Sequence, residues 1–248
     1  NNNKWRWLAE IKSIPDNKCI SPKQINITIA NRSNGSGHPI YIHIPRIKTP
    51  IPLFIAFRAL GIISDIEICK YIILNIKEKS MKRMLFALKA SIIESHKYST
   101  QESALDFIVS QAMYTPINMT YEEGLQKKKE FTESVLSNDL FPHCKEKLEK
   151  IYFMGFMTNK LLQTSFGWRK CDDRDSYKNK RVDLCGVLLN NLFRNYFNKL
   201  VKDMQKQTIR EINNGSWKST DNYKNIISLT NIYKIIKSTT IENGLKRA

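Results

Sequence analysis

Two hydrophobic periods divide the chain. Near the N-terminus Ile25, Ile27 and Ile29 alternate with Asn26 and Thr28, and Ile40, Ile42 and Ile44 alternate with Tyr41 and His43. A period of two puts one apolar face on each strand. Between them runs Asn31-Arg32-Ser33-Asn34-Gly35-Ser36-Gly37, whose glycines supply the φ > 0 positions of a turn. The first fifty residues therefore read as strands, with a hairpin whose loop has a basic tip. Pro45, Pro50 and Pro52 then break regular structure. The apolar run Leu53–Gly61 predicts a short buried helix with Pro52 at N1 and Gly61 at C′, although its length also permits a strand. Arg58 inside that run requires a carboxylate or carbonyl partner.

From Ser64 onward the period lengthens to that of helices. Ser64-Asp65-Ile66-Glu67 has the form of a capping box before Ile66, Cys69, Ile72, Ile73 and Ile76. Met81, Met84, Leu85, Leu88 and Ile92 form a second stripe. Ser99-Thr100-Gln101-Glu102 caps a short helix around Ala104–Ser110, Thr120-Tyr121-Glu122-Glu123 opens another, and Glu122 to Lys150 mixes both signs as a solvated helical face does. Glu123, Glu130 and Glu133 form a weak pattern for paired acids, because no His accompanies them. The longest helical period runs from Val182 to Ile212, with apolar positions at Cys185, Leu188, Leu192, Tyr196, Leu200 and Met204. Asn213-Asn214-Gly215-Ser216 ends it, and a last helix over Tyr223–Ser238 turns Ile226, Tyr233 and Ile236 inward. The class these elements predict is α+β, an N-terminal β-hairpin region followed by a mainly helical region and then a long helix.

Composition changes this picture in one respect. Of 248 residues 42% are hydrophobic and 25% charged, an ordinary globular balance that excludes wholesale disorder. Nine Gly, eight Pro and five Cys exclude a collagen-like or disulfide-scaffold class. The net charge of +17 is the anomaly, and it points to a polyanionic partner, nucleic acid first, with an anionic membrane or an acidic protein as rivals. The excess is uneven: residues 178–248 hold 14 Lys and Arg against five Asp and Glu. Lys199, Lys202, Lys206 and Arg210 fall at offsets of three, four and four, so they share one face of the long helix. That ridge fits a phosphate backbone or, equally, a solubilising outer face.

The five Cys are widely spaced and form no C-x2-C pair, so a structural zinc is not expected and reduced intracellular thiols are. No apolar run approaches a membrane span and the chain opens without a signal core, which predicts an intracellular protein without a membrane partner.

The densest polar segment is Cys171-Asp172-Asp173-Arg174-Asp175-Ser176-Tyr177-Lys178-Asn179-Lys180-Arg181-Val182-Asp183-Leu184-Cys185-Gly186. Its acids could hold Mg²⁺, cap the long helix, or steady the following cations beside a nucleic-acid path; the last two together suit a single short loop best.

This segment resembles the D-D-x-D-x-x-x-x-[KR]-R-[LV]-x-x-x-G signature of the second-largest subunit of multisubunit DNA-dependent RNA polymerases. Other blocks agree in order. Phe57-Arg58-Ala59-Leu60-Gly61-Ile62 resembles the family's F-R-A-L-G-I block, and Ala104-Leu105-Asp106-Phe107-Ile108 its A-L-D-[FY]-I element. Leu140-Phe141-Pro142-His143, Met154-Gly155-Phe156-Met157 through Leu162, and Asn243-Gly244-Leu245 are similar to three more. The chain departs at Ser176, Tyr177 and Lys178, where the family usually has His, an aromatic residue and Gly.

The resemblance implies a fragment of eukaryotic, archaeal or large-virus type. Residues 1–174 would be the lobe and 175–248 the second part of the protrusion. It implies a non-catalytic, cleft-forming role in transcription, with no catalytic or metal-binding residue here and Mg²⁺ serving the whole polymerase. The expected nucleic-acid contacts are Lys178, Lys180, Arg181, Lys199, Lys202, Lys206 and Arg210, and the expected partners are DNA, the DNA–RNA hybrid, the largest and other polymerase subunits, and initiation factors. The expected location is the nucleus, or the virion and host cytoplasm for a virus. The rival readings are an interaction platform for sibling subunits and, remotely, a stand-alone enzyme using Asp172, Asp173 and Asp175 with Mg²⁺.

Overall fold

The computed structural model describes residues 5–14, 22–75, 78, 81–115, 120–214 and 229–248. The chain is α+β and divides into two units, Asn1–Asp173 and Arg174–Ala248.

The first unit opens with an antiparallel sheet in the order β1-β2-β3-β4, formed by β1 Trp5–Ser13, β2 Lys23–Ala30, β3 Ile40–His43 and β4 Ile51–Pro52. The hairpin expected from the alternating isoleucines is β2–β3, where Ile27 faces Ile42 and Ile29 faces Ile40. β1 adds Trp7, Ala9 and Ile11 opposite Ile29, Ile27 and Ile25, which extends the same apolar face. A register shift between Trp5 and Trp7 lets the Trp5 ring meet Tyr41 and His43, with centroids 5.8 and 4.9 Å away.

Among the described residues six helices complete this unit: α1 Leu53–Ala59, α2 Asp65–Ile73, α3 Lys82–Ser95, α4 Gln101–Gln111, α5 Tyr121–Asn138 and α6 Lys147–Ser165. The isoleucine face of the sheet joins α1, whose seven residues are all buried, and the inward faces of the other helices in one core. Pro52 is the N-cap of α1 rather than its first helical residue, and Gly61 follows the C-cap Leu60 at φ +110°, a conformation only glycine adopts freely. Thr100 and Thr120 cap α4 and α5 by reciprocal bonds with Ser103 and Glu123. Those bonds hold the Glu123 carboxyl below its usual pKa, so it serves the cap and not a pair of acids.

Three local expectations fail for identifiable reasons. Ser64 stands at the N-cap of α2 but its hydroxyl closes no cap bond, and Asp65, next in line, is committed to Arg58. Ile66 points outward, because the buried side of α2 is set by Ile68, Cys69, Ile72 and Ile73. The mixed-charge stretch Glu122–Lys150 is not one solvated face. It breaks after α5, and Lys150 is buried, donating to the Leu136 carbonyl at 2.9 Å and to that of Ser137. Its ammonium closes the C-terminus of α5, where orphan carbonyls favour a cation.

The second unit holds α7 Cys185–Asn213, α8 Leu229–Ile235 and α9 Thr239–Lys246. Of the last helix expected over 223–238, residues 223–228 lie outside the described residues, and Tyr233 is exposed instead of inward. α9 crosses α7 where Gly244 meets the ring of Tyr196, too close for any larger residue.

Candidate nucleic-acid interface

The longest helix carries the basic ridge. α7 has 29 residues, no proline, and apolar positions at helical spacing, so i→i−4 bonds run through its interior without a break. Its start corrects the capping expectation. Leu184 is the N-cap, no acid lies in the first turn, and Asp172–Asp175 sit ten or more residues upstream of Cys185. The acids therefore do not complement this helix end, since a charge acts on the dipole only within the first turn.

They are engaged with cations. Asp172 accepts two bonds from Arg169 Nη2, at 2.9 and 3.2 Å, and Asp175 pairs with Lys180 at 3.7 Å. All four side chains are well exposed, so each pair contributes little stability but biases where the cation points. A carboxylate neutralised in this way is a poor Mg²⁺ ligand, and no group of three His, Cys, Asp or Glu suited to a metal occurs among the described residues. These residues do not fit the ion that polymerase chemistry uses, and no step is assigned to them.

The seven sequence-predicted contacts all lie on the surface. Lys178, Lys180 and Arg181 are exposed in the segment before α7, and Lys199, Lys202, Lys206 and Arg210 are exposed along it. The four helix cations form no salt bridge with any described residue, so their charge is available to an outside partner. Eleven residues separate the first from the last, a reach of about 16 Å. That matches the rise of about five nucleotides of one B-form strand. At the end of the ridge Lys206 and Arg210 join Ile209, Asn213 and Asn214 around a shallow concavity of about 430 Å³. The two asparagines add neutral donors beside the cations. Sequence reasoning missed them by treating Asn213-Asn214 only as a helix stop, although Lys206, Arg210 and Asn213 fall on one helical row.

α7 is amphipathic without being buried. Phe193, Phe197 and Val201 repeat every four residues, the two rings stacked at 6.1 Å, and each stays about half exposed. The expected inward stripe is thus only partly covered within this unit. No helix among the described residues is long and apolar enough to cross a membrane.

A four-stranded sheet with packed helices, followed by a long helix with a basic face, is the class of protein these elements define. Comparisons with known proteins define its family. The family model RNA polymerase Rpb2, domain 2, matches residues 14–183. The chain is 31% identical to DNA-directed RNA polymerase II subunit 2 of Arabidopsis thaliana, an alignment covering 98% of this chain and 19% of that protein. It is 35% identical to subunit RPB2 of Encephalitozoon cuniculi over 84% of this chain and 17% of that protein. It is 28% identical to DNA-directed RNA polymerase subunit 2 of Acanthamoeba polyphaga mimivirus, over 98% and 20%. The chain belongs to the family of second-largest subunits of DNA-directed RNA polymerases and spans about a fifth of the length of these relatives.

Proposed function

We propose that this chain is a non-catalytic, cleft-forming part of a DNA-directed RNA polymerase that holds the sugar–phosphate backbone of DNA or of the DNA–RNA hybrid. The first unit corresponds to the lobe and the second to part of the protrusion. The observation that carries the reading is the row of four exposed cations on α7 that form no salt bridge with any described residue, preceded by Lys178, Lys180 and Arg181. Backbone contacts position a duplex without reading its bases, which is what a polymerase requires as template of any sequence passes. Catalytic Mg²⁺ and the reacting groups belong to the rest of the enzyme, and the partners are its other subunits.

The test is duplex binding by the whole 248-residue chain across a salt series. Each phosphate neutralised contributes a slope of about −0.9 in log K against log salt. Replacing Lys199, Lys202, Lys206 and Arg210 by Gln is expected to make the slope shallower by about three to four. A flat salt response in the parent chain, or an unchanged slope in the variant, overturns the reading.

A second reading rests on the half-exposed row Phe193, Phe197 and Val201. It makes α7 a seat for sibling subunits or initiation factors. Its mark would be co-purification of polymerase subunits from nuclease-treated extract that Phe197→Asp abolishes and the four-Gln variant does not.

A further inference from the structure

A different surface, on the first unit, carries an assignment of its own. Lys82, Phe86, Lys89 and Ile93 recur at offsets of four, three and four along α3, so they lie in one stripe, and Lys97 follows in the turn that closes the helix. All five side chains are exposed. Phe86 is 76% exposed and Ile93 50%, high values for a phenylalanine and an isoleucine on a helix whose inner side, with Met84 and Leu88, is fully packed. Arg83 extends the stripe at its N-terminal end, its guanidinium 4.6 Å from the centre of the Phe166 ring.

Among the described residues no acid pairs with the cations of this face. The one acid between Lys82 and Lys97 is Glu94, and it points elsewhere, accepting the Tyr41 hydroxyl at 2.6 Å. Burial, and then this bond, hold the Tyr41 phenol above its usual pKa, so the hydroxyl stays a neutral donor to Glu94. None of Lys82, Arg83, Lys89 and Lys97 forms a salt bridge with a described residue.

Single exposed apolar residues are ordinary on protein surfaces. Two of them spaced seven apart, framed by cations at i−4, i+3 and i+4 and facing no acid, form an apolar centre with a basic rim. We infer that this face of α3 docks an acidic, amphipathic polypeptide segment, with Asp and Glu side chains on the lysines and apolar side chains on Phe86 and Ile93. The charge selects an anion, and the two apolar side chains select which kind. Against a phosphate backbone Ile93 would gain nothing, since neither stacking nor a hydrogen bond is open to it. Against a peptide it removes apolar area from water. This inference is independent of the nucleic-acid reading of α7.

The experiment uses the whole 248-residue chain and fluorescence anisotropy. The probe is a dye-labelled 20-residue peptide with Glu and Leu or Phe at helical spacing. A scrambled peptide of the same composition and a polyglutamate of the same charge are compared with it. The amphipathic peptide is expected to bind at least tenfold more tightly than either. Phe86→Ala with Ile93→Ala is expected to weaken it about tenfold, and Lys82→Glu, Lys89→Glu and Lys97→Glu together to abolish binding. Because the substituted side chains are exposed, unchanged circular dichroism and melting temperature verify the fold of each variant. Equal binding of the three peptides overturns the inference. So does full affinity in the α3 variants, or a loss of affinity in the α7 four-Gln variant in their place. Tighter binding of a labelled single-stranded oligonucleotide that depends on Phe86 and the same lysines would reassign the face to nucleic acid.

Discussion

Arg58 Nη2 donates to Asp65 Oδ1 across 2.5 Å, so a guanidinium in α1 is tied to the first residue of α2 while only 3% of its side chain remains exposed. Its Nη1 donates to the carbonyls of Ser95, at 2.6 Å, and Tyr98, at 2.7 Å, where α3 ends. One buried cation thus joins three helices. It satisfies carbonyls that the end of α3 leaves without partners and takes its countercharge from Asp65.

Removing the guanidinium strands those carbonyls and the carboxylate together. Arg58→Ala is expected to destabilise the chain by about 3–5 kcal/mol, the cost of breaking a buried ion pair. Asp65→Asn should cost less, about 1–2 kcal/mol, because the amide oxygen can still accept from Nη2 and the Ser95 and Tyr98 carbonyls keep their bonds to the guanidinium. Urea titration followed by circular dichroism measures both. Equal effects, or a neutral Arg58→Ala, would show that Arg58 is not the joint.

Two glycines in helices give opposite signs. A Cβ at Gly155 of α6 would overlap the backbone carbonyl of Tyr71 in α2, whereas nothing stands within 4 Å of one at Gly186 in the first turn of α7. The overlap involves backbone, so Gly155→Ala must push two helices apart. Overpacking of that kind costs about 1–3 kcal/mol, more than the roughly 1 kcal/mol gained in helix propensity. Gly186→Ala keeps the gain without the cost, about 0.5–1 kcal/mol. Thermal melting of the whole chain should show the first substitution lowering Tm and the second raising it.

What was legible in the sequence follows the range of each interaction. The alternation that makes β2 and β3, the Thr120 cap and the sharing of one face by Lys199, Lys202, Lys206 and Arg210 depend on neighbours within a few residues. Arg58 was a special case: its burial in an apolar run announced a partner, but not that Ser95 and Tyr98 would supply two of the three bonds. β1 was present as Trp5, Trp7, Ala9 and Ile11 alternating with Arg6, Leu8, Glu10 and Lys12, yet two tryptophans, an alanine and a single isoleucine make a weaker apolar signal than a run of isoleucines. The burial of Lys150 was hidden, since it depends on where α5 stops. The acidic loop misled as a helix cap because chain proximity to α7 does not place a carboxylate in its first turn. The α7 ridge could be located by periodicity, but what covers the opposite row of Phe193, Phe197 and Val201 is not written in local sequence.

The four described cysteines divide by environment. Cys69 and Cys144 are buried, whereas Cys171 and Cys185 are exposed. Burial, reinforced by the nearby Asp65 carboxylate, pushes the Cys69 thiol up to about 11. An unfolded cysteine ionises near pH 8.5. Cys69 therefore holds a proton in the folded chain that the unfolded chain has released. Its contribution to stability is complete below about pH 8.5 and is lost as pH rises through 11. Alkylation by iodoacetamide at pH 8, mapped by mass spectrometry, should modify Cys171 and Cys185 first and leave Cys69 and Cys144 protected. Raising the pH to 9.5 should accelerate the exposed pair without unmasking Cys69. Early modification of Cys69 would contradict its burial.

Asp139 is the second buried charge on which the first unit turns, and its partners permit a sharper measurement than a single substitution. Only 5% of the residue is exposed, and its two oxygens meet Lys23 Nζ and Arg46 Nε, each at 3.2 Å. Lys23 lies on β2 and Arg46 in the loop after β3, where it adopts φ +64°. A non-glycine residue held there carries a backbone cost that the ion pair helps to offset. Asp139→Asn keeps the shape but leaves two cations against a neutral amide, with an expected loss of about 3–5 kcal/mol because the site is buried. Lys23→Met alone should cost less, since Arg46 still neutralises the carboxylate. The double variant is expected to lose less than the two single losses added together, with a coupling of about 0.5–3 kcal/mol. Arg46→Gly separates charge from backbone, because glycine relieves the positive φ while deleting the guanidinium. Arg46→Ala deletes the charge and keeps the strain, so it should be the less stable of the two by about 0.4–1 kcal/mol. Equal stability of the Gly and Ala variants would mean that the backbone at position 46 is not held in that conformation.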